Sequence, residues 1–223
     1  MMQVKLIDKM GSDLTVVNAA RVSFANRHEE LNVKTDTRLI SFLAKHGHWS
    51  PFAHCSMQFH IRAPVFVARQ LVKHQVGLSW NEVSRRYVDI EVEFYEPKTW
   101  RGKADDKKQG SSDEEIDINP RKILVDDYQQ VMKSAKWTYE ELLRKGVAPE
   151  QARMVLPQSM MTEWYWSGTL YAFARVCNLR LHETAQEETR TVANKISQRA
   201  KKIFPVCWKY LTKEIEKHGN DGN

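Results

Sequence analysis

Four polar side chains, Arg69, Gln70, Lys73 and His74, fall at i, i+1, i+4 and i+5 within the stretch PVFVARQLVKHQVGLSWNEVSRRY, residues 64–87. A helix over Val65 to Gln75 puts them on one face and turns Phe66, Val67 and Leu71 towards a core. The stretch breaks at Val76-Gly77-Leu78 and resumes as Asn81 to Tyr87. An extended course there sets Glu82, Ser84 and Arg86 on a common side, so that a carboxylate, a hydroxyl and a guanidinium converge. Guanidinium forks suit phosphate, hydroxyls and backbone N–H groups add neutral donors, and a carboxylate reads a donor or a ribose hydroxyl. A phosphorylated, hydrogen-bonding ligand fits these groups; the plainer reading is a basic solvated helix followed by a charged turn.

Other groups stand out along the chain. Lys45-His46-Gly47-His48-Trp49-Ser50-Pro51-Phe52-Ala53-His54 brings three histidines close together, which equally suits capping or core roles. Arg153 sits in the mostly apolar run from Pro149 to Pro157, where a buried guanidinium needs a carboxylate or a bound anion. Met160 to Leu179 is rich in aromatic residues, a pattern more typical of core than of a cofactor box, but Thr169 and Arg175 interrupt it and Asn178-Leu179-Arg180 ends it.

Ser79-Trp80-Asn81-Glu82-Val83-Ser84-Arg85-Arg86-Tyr87 resembles the signature S-x-N-E-x-S-x-R-Y of the flavin-dependent thymidylate synthases, matching every fixed position. The resemblance extends to the histidine-rich segment, to Ala152-Arg153-Met154-Val155-Leu156-Pro157 and to Asn178-Leu179-Arg180, and spans nearly the whole chain from Ala19 to Gln186. Three departures are visible. Lys73-His74-Gln75 stands for the family's Arg-His-Arg, Val76-Gly77-Leu78 makes the spacer one residue longer, and Thr184 replaces a histidine, for which His182 is a possible substitute.

The resemblance implies a single domain over 1–223 and an α+β fold, a small mainly antiparallel sheet backed by helices with a helical C-terminal half. It implies reductive methylation of dUMP to dTMP, with FAD reduced by NADPH and methylenetetrahydrofolate as one-carbon donor. Arg180 is the implied catalytic residue, polarising the uracil without a cysteine nucleophile. Flavin contacts fall to Ser50, His48, Lys73, His74, Gln75, Asn81, Glu82, Thr169 and Arg175, with Ser23 close to the nucleotide sites. Substrate contacts fall to Gln70, Lys73, Glu82, Ser84, Arg85, Arg86, Arg153 and Arg180. A homotetramer with shared sites is the implied assembly.

Composition agrees with a folded, soluble chain: 223 residues, 42% hydrophobic and 28% charged. No apolar run reaches membrane-spanning length and the amino terminus lacks a signal-peptide core, so a cytoplasmic protein is expected. The net charge of +6 favours anionic partners without choosing among them. A basic nucleic-acid-binding protein using Arg69 to Arg86 is the alternative, but the cations are dispersed and that stretch offers few aromatic platforms, so no nucleic acid is expected. Cys55, Cys177 and Cys207 are far apart, match no disulfide framework and no zinc spacing, and no metal is expected. There is no G-x-G-x-x-G, so no Rossmann site is indicated.

These residues need a scaffold. Val4 to Ile7 reads as a strand, Leu14 to Phe24 as a helix, Asn26 to Lys34 as loop, and a helix starts at Thr35-Asp36 and runs to Gly47. Cys55 to Arg62 alternates with period two, Pro64 opens the Arg69 helix, and Val92 to Tyr95 is a further strand closed by Pro97. Residues 98–119 read as a polar, mobile loop. A long helix follows from Asn119-Pro120 to Gly146, another starts at Pro149, and amphipathic helices cover Thr189 to Ile203 and Pro205 to Lys217, with a disordered tail from His218.

Overall fold

The structure, a computed structural model, describes residues 1–88, 90–104, 111–116 and 122–212. In chain order the elements are β1 (Gln3–Met10), α1 (Asp13–Arg21), α2 (Val33–Lys45), the single turn α3 (Ser50–Ala53), β2 (Ser56–Pro64), α4 (Val65–Leu71) and β3 (Leu78–Glu82). Then come β4 (Arg101–Lys103), β5 (Ser111–Glu115), α5 (Lys122–Arg144), α6 (Pro149–Ala152), β6 (Met161–Thr169), α7 (Leu170–Arg180), α8 (Glu187–Ile203) and α9 (Pro205–Leu211). This is the expected α+β fold with a mainly helical C-terminal half.

Four strands form one sheet in the order β1-β2-β6-β3. Val65 N–H donates to Met160 O at 2.9 Å and Leu170 N–H to Cys55 O at 2.8 Å, so β2 and β6 run antiparallel. Val83 N–H to Glu163 O at 2.9 Å and Thr169 N–H to Gly77 O at 3.1 Å show the same for β6 and β3. Met57, Phe59 and Ile61 are buried along β2, as its period of two requires. In β6, Trp164 and Trp166 are buried whereas Tyr165 is exposed. The aromatic stretch is therefore a strand that becomes a helix at Thr169, whose side chain accepts from Ala172 N–H at 3.1 Å and caps α7.

Contacts among the described residues fall into two compact units, one of Met1–Gln3, Ile61–Lys73 and Asn81–Trp164, the other of Val4–His60, His74–Trp80 and Tyr165–Asn223. In the first, Val92, Tyr139 and Ala152 make a small core flanked by Phe94, Leu142 and Leu156. The strand expected over Val92–Tyr95 is only an isolated bridge between Phe94 and Met160, with Tyr95 N–H donating to Ser159 O at 2.7 Å and Met161 N–H to Glu93 O at 2.8 Å. The loop expected over 98–119 is in part a hairpin: β4 and β5 pair antiparallel, and Arg101 Nε donates to Ser111 Oγ at 2.8 Å. Trp100 sets that hairpin edge-on against Tyr128 of α5, at 5.4 Å. Residues 105–110 and 117–121, including the expected start of the long helix, lie outside the described residues.

In the second unit, four rings make a continuous edge-to-face series. Trp80 meets Trp166 at 5.5 Å, Trp166 meets Phe173 at 5.3 Å and Phe173 meets Phe59 at 5.1 Å. α1 closes at Arg21 and tightens into a 3₁₀ turn over Val22–Phe24, short of the single helix expected to Phe24. α2 begins two residues before Thr35, because Asn32 Oδ1 accepts from Thr35 N–H at 3.0 Å. Asp36 is buried beneath that turn, where it accepts from Arg21 Nη2 at 2.9 Å and Asn32 N–H at 2.8 Å, with His28 Nδ1 at 3.1 Å. α8 begins at Glu187, and the last helix ends at Leu211, short of the expected Lys217, because Thr212 turns extended and its hydroxyl donates to Trp208 O at 2.7 Å; the tail expected from His218 lies outside the described residues.

One carboxylate joins the ends of the second unit. Asp13, buried at the start of α1, accepts from the N–H groups of Val206 at 3.0 Å and Cys207 at 2.9 Å, capping α9 after Pro205. Asp13→Ala leaves two buried donors without an acceptor and should cost about 2 kcal/mol of stability. Asp13→Asn should lose less, having kept one acceptor oxygen; urea unfolding of the two variants checks the order.

Candidate functional site

In the first unit, α4 stops at Leu71, four residues before the expected Gln75. In the second unit Gly77 has φ of +75°, and Leu78 N–H closes back on Gln75 O at 3.1 Å, a turn that leads into β3. Lys73 and His74 therefore do not share a helical face with Arg69 and Gln70. The extended course expected to Tyr87 likewise ends at Glu82. Beyond it Ser84 Oγ accepts from Arg86 N–H at 3.3 Å and Ser84 O from Tyr87 N–H at 3.0 Å, a turn that breaks the alignment of Glu82, Ser84 and Arg86.

That turn sends Arg85 inward. It is 7% exposed, donates to Ile90 O at 2.7 Å and Glu91 O at 3.3 Å, and lies over the Tyr139 ring at 5.9 Å. Arg86 stays exposed, with Nε 3.5 Å from Glu150 Oε2. Arg153, expected to be buried, is exposed because α6 is a single turn at the surface; its Nε donates weakly to Glu150 O at 3.4 Å. A cavity of about 290 Å³ is lined by Arg69, Glu82, Arg85, Arg153 and Thr162 with an apolar wall that includes Leu156 and Met160. Thr162 is buried and donates its hydroxyl to Glu82 Oε1 at 2.7 Å, holding that carboxylate. Three guanidiniums and one carboxylate on its lining suit an anion that also carries hydroxyl groups.

In the second unit, Arg180 at the end of α7 donates from Nε to His74 Nε2 at 3.0 Å. A cationic donor needs a lone pair, so the contact is one that the neutral imidazole makes, with its proton on Nδ1. Burial, then the charges of Arg180 and Arg175, hold the His74 pKa below its ordinary value. Gln75 and Arg175 are exposed, as are Lys73 and Asn81 in the first unit, and Thr169 serves as the cap of α7.

A second cavity, about 400 Å³, is lined by Ser23, His46, His48, Trp49 and Ser50 with Gly47 between the histidines. Gly47 takes φ of +69° after α2, which lets His48 N–H return to Leu43 O at 2.9 Å. His46 packs on Phe42 at 4.4 Å between ring centroids, and Trp49 lies 6.5 Å from Tyr171 of α7. Aromatic walls with imidazole and hydroxyl groups suit a flat heterocycle with hydrogen-bonding edges. Among the described residues no cluster of three metal-ligating side chains exists, and no helix is long and apolar enough to cross a membrane.

The sequence profile described as thymidylate synthase complementing protein matches residues 5–206. The chain belongs to that family. It is 40% identical over 205 residues to a flavin-dependent thymidylate synthase of Thermus thermophilus, covering 92% of this chain and 73% of that one. A flavin-dependent thymidylate synthase of Thermosipho africanus is 38% identical over 216 residues, covering 94% and 90%. Among solved structures, a UMP/dUMP methylase PolB from Streptomyces cacaoi bound with 5-Br dUMP superposes with a TM-score of 0.84 at 31% identity, covering 94% of both chains.

Within this thymidylate synthase complementing fold, Glu82, Arg85 and Arg153 share one cavity, His48, Ser50 and Ser23 share another, and His74 meets Arg180. Gln70 is half-buried at the end of α4. His182 pairs with Thr184, Nδ1 to Oγ1 at 2.9 Å, on an exposed turn. Arg69 and His46, singled out in the sequence but given no contact there, line these cavities, and Thr162 joins them without any sequence signal. Arg69 and His46 carried a visible signal, each lying beside an assigned residue, but Thr162 joins Glu82 only because β6 pairs with β3.

His74 also ties stability to pH. As pH falls through the ordinary histidine range near 6.5, the unfolded chain takes up the proton before the folded one does. Stability is thus full above that range and declines below it. His74→Gln, which does not titrate, should give a shallower decline, measured by urea unfolding at about pH 7.5 and about pH 5.5.

Proposed function

We propose that this chain methylates dUMP to dTMP reductively, using methylenetetrahydrofolate as one-carbon donor and FAD recharged by NADPH, with no protein thiol bonded to the substrate. The observation that carries the reading is the state of the three cysteines. Cys55, Cys177 and Cys207 are fully buried, and burial raises the Cys55 thiol to about 11 and the other two further. A nucleophile must be a thiolate, and these sulfurs are the opposite of activated.

Arg180 supplies the alternative. Its guanidinium N–H groups, aimed at N3 and O4 of the uracil, stabilise negative charge on the ring and raise electron density at C5, where the one-carbon unit is accepted. The nucleotide phosphate and ribose are held by Gln70, Lys73, Glu82, Ser84, Arg85, Arg86 and Arg153. In support, the cavity formed by Glu82, Arg85 and Arg153 has the charge balance such a ligand needs. Two of the N–H groups of Arg85 serve carbonyls, which fixes its fork and sets its charge at the cavity.

The residues present also fit a flavin. Ser50 and His48, with Ser23 nearby, line a cavity whose donors and aromatic walls match an isoalloxazine, and Lys73, His74, Gln75, Asn81, Glu82, Thr169 and Arg175 complete the proposed flavin contacts. Bound FAD supplies the reducing equivalents that turn a transferred methylene into methyl. Lys73-His74-Gln75 takes the place of an Arg-His-Arg triplet in this arrangement. The proposed assembly is a homotetramer; large apolar side chains left open, such as Phe24 at 83% and Met154 at 78%, support burial between subunits.

The test is dTMP formation from dUMP by purified protein supplied with FAD, NADPH and methylenetetrahydrofolate, with UMP run alongside because the similar PolB is a UMP/dUMP methylase. Arg180→Ala should retain the visible flavin spectrum and lose turnover by at least about 1000-fold, the scale of a lost charge-stabilising donor. The variant with Cys55, Cys177 and Cys207 all changed to Ala should still form dTMP. Loss of activity in that variant while it remains folded, or a covalent adduct between sulfur and substrate, would overturn the proposal.

A further inference from the structure

Resting on that reading and deepening it, we propose that His74 is the positioning residue for Arg180: it accepts the Nε–H, fixes the plane of the guanidinium and leaves the terminal N–H groups for the pyrimidine. Arginine reaches its target through a long flexible stem, and holding Nε removes most of the freedom of the fork at its tip. The contact joins residues 106 apart in sequence at 3.0 Å, so chain proximity does not account for it.

The histidine is itself held in place. The turn that carries it lies against the opposite end of the helix that carries Arg180. Thr169 N–H donates to Gly77 O at 3.1 Å. A Cβ on Gly77 would lie 3.1 Å from Ala172 Cβ, and one on Gly168 would lie 2.6 Å from Gly77 O and collide with Leu78 Cδ2. Two glycines therefore permit a backbone approach that any side chain would push apart. α7 is braced at its start by the turn, and the same turn holds the arginine at its end. Protonation would remove the acceptor and set a third cation against Arg180 and Arg175, and the depressed pKa of His74 is in line with its acting as a neutral acceptor.

The test uses His74→Phe, which keeps a flat ring without an acceptor, and His74→Gln, whose amide oxygen can reach the Nε2 position. In ligand-free protein labelled with ¹⁵N-arginine, the Arg180 Nε–H signal, assigned by its absence in Arg180→Gln, should exchange with solvent at least about tenfold faster in His74→Phe and recover in His74→Gln. In turnover, His74→Phe should lower kcat about 100-fold, with KM for dUMP changed less than about threefold, and His74→Gln should recover most of the loss. In the Arg180→Gln background His74→Phe should add less than about threefold, because the two act as one unit. An Nε–H signal unchanged in His74→Phe, or an equal kcat loss in both backgrounds, overturns the positioning role. Normal turnover by Arg180→Gln sinks instead the methylation mechanism on which it rests, while the exchange measurement still judges the contact.

Discussion

The edge-to-face packing of Trp166 between Trp80 and Phe173 is the interaction on which the arrangement of the second unit rests. Trp166 comes from a central strand, Trp80 from the neighbouring strand and Phe173 from the helix that continues the same chain, with Phe59 closing the series from β2. Rings packed in this way gain more than their buried area alone provides, and they do so only at defined angles. The helix is thereby fixed against the sheet in rotation as well as in distance. Its last residue, Arg180, is delivered by that constraint, because a helix packed on one face has no freedom left to reorient its end.

The two units solve the same problem, holding positive charge away from bulk water, with different partners. Among the described residues Arg85 is buried against two carbonyls and the face of Tyr139, which offset the cost of its burial. Arg180 is half-buried and spends its Nε on a neutral imidazole. A carboxylate in either place would neutralise the charge, whereas neutral acceptors orient it and leave it available to an anion or to developing negative charge. Asp36 in the second unit shows the contrast: there a carboxylate does pair with Arg21, and the result is a closed structural link beneath α2.

The cysteines complete this logic. All three are buried among apolar groups or at helix contacts, with Cys55 donating to Ser12 O at 3.4 Å and Cys177 to Ala193 O at 3.6 Å. They behave as small hydrophobes.

Much was legible in the residues alone. The period of two from Cys55 to Arg62 marks β2, Pro64, Pro149 and Pro205 mark helix starts, and the motif around Asn81 to Tyr87 carries the family. Such signals are local: they record which side of an element is buried and where a backbone N–H is dispensable. What the sequence did not disclose was settled by tertiary contact. Gly77 and Gly168 approach where a Cβ on either would be crowded, Arg85 rather than Arg86 turns inward because the chain bends at Ser84, and the polar run after Lys98 pairs as a hairpin anchored by Trp100. Thr162 reaches Glu82, and His74 reaches Arg180, across 80 and 106 residues. Spacing along a chain cannot encode a hydrogen bond between strands or turns that meet only after the sheet has formed, since register and packing of distant segments decide it.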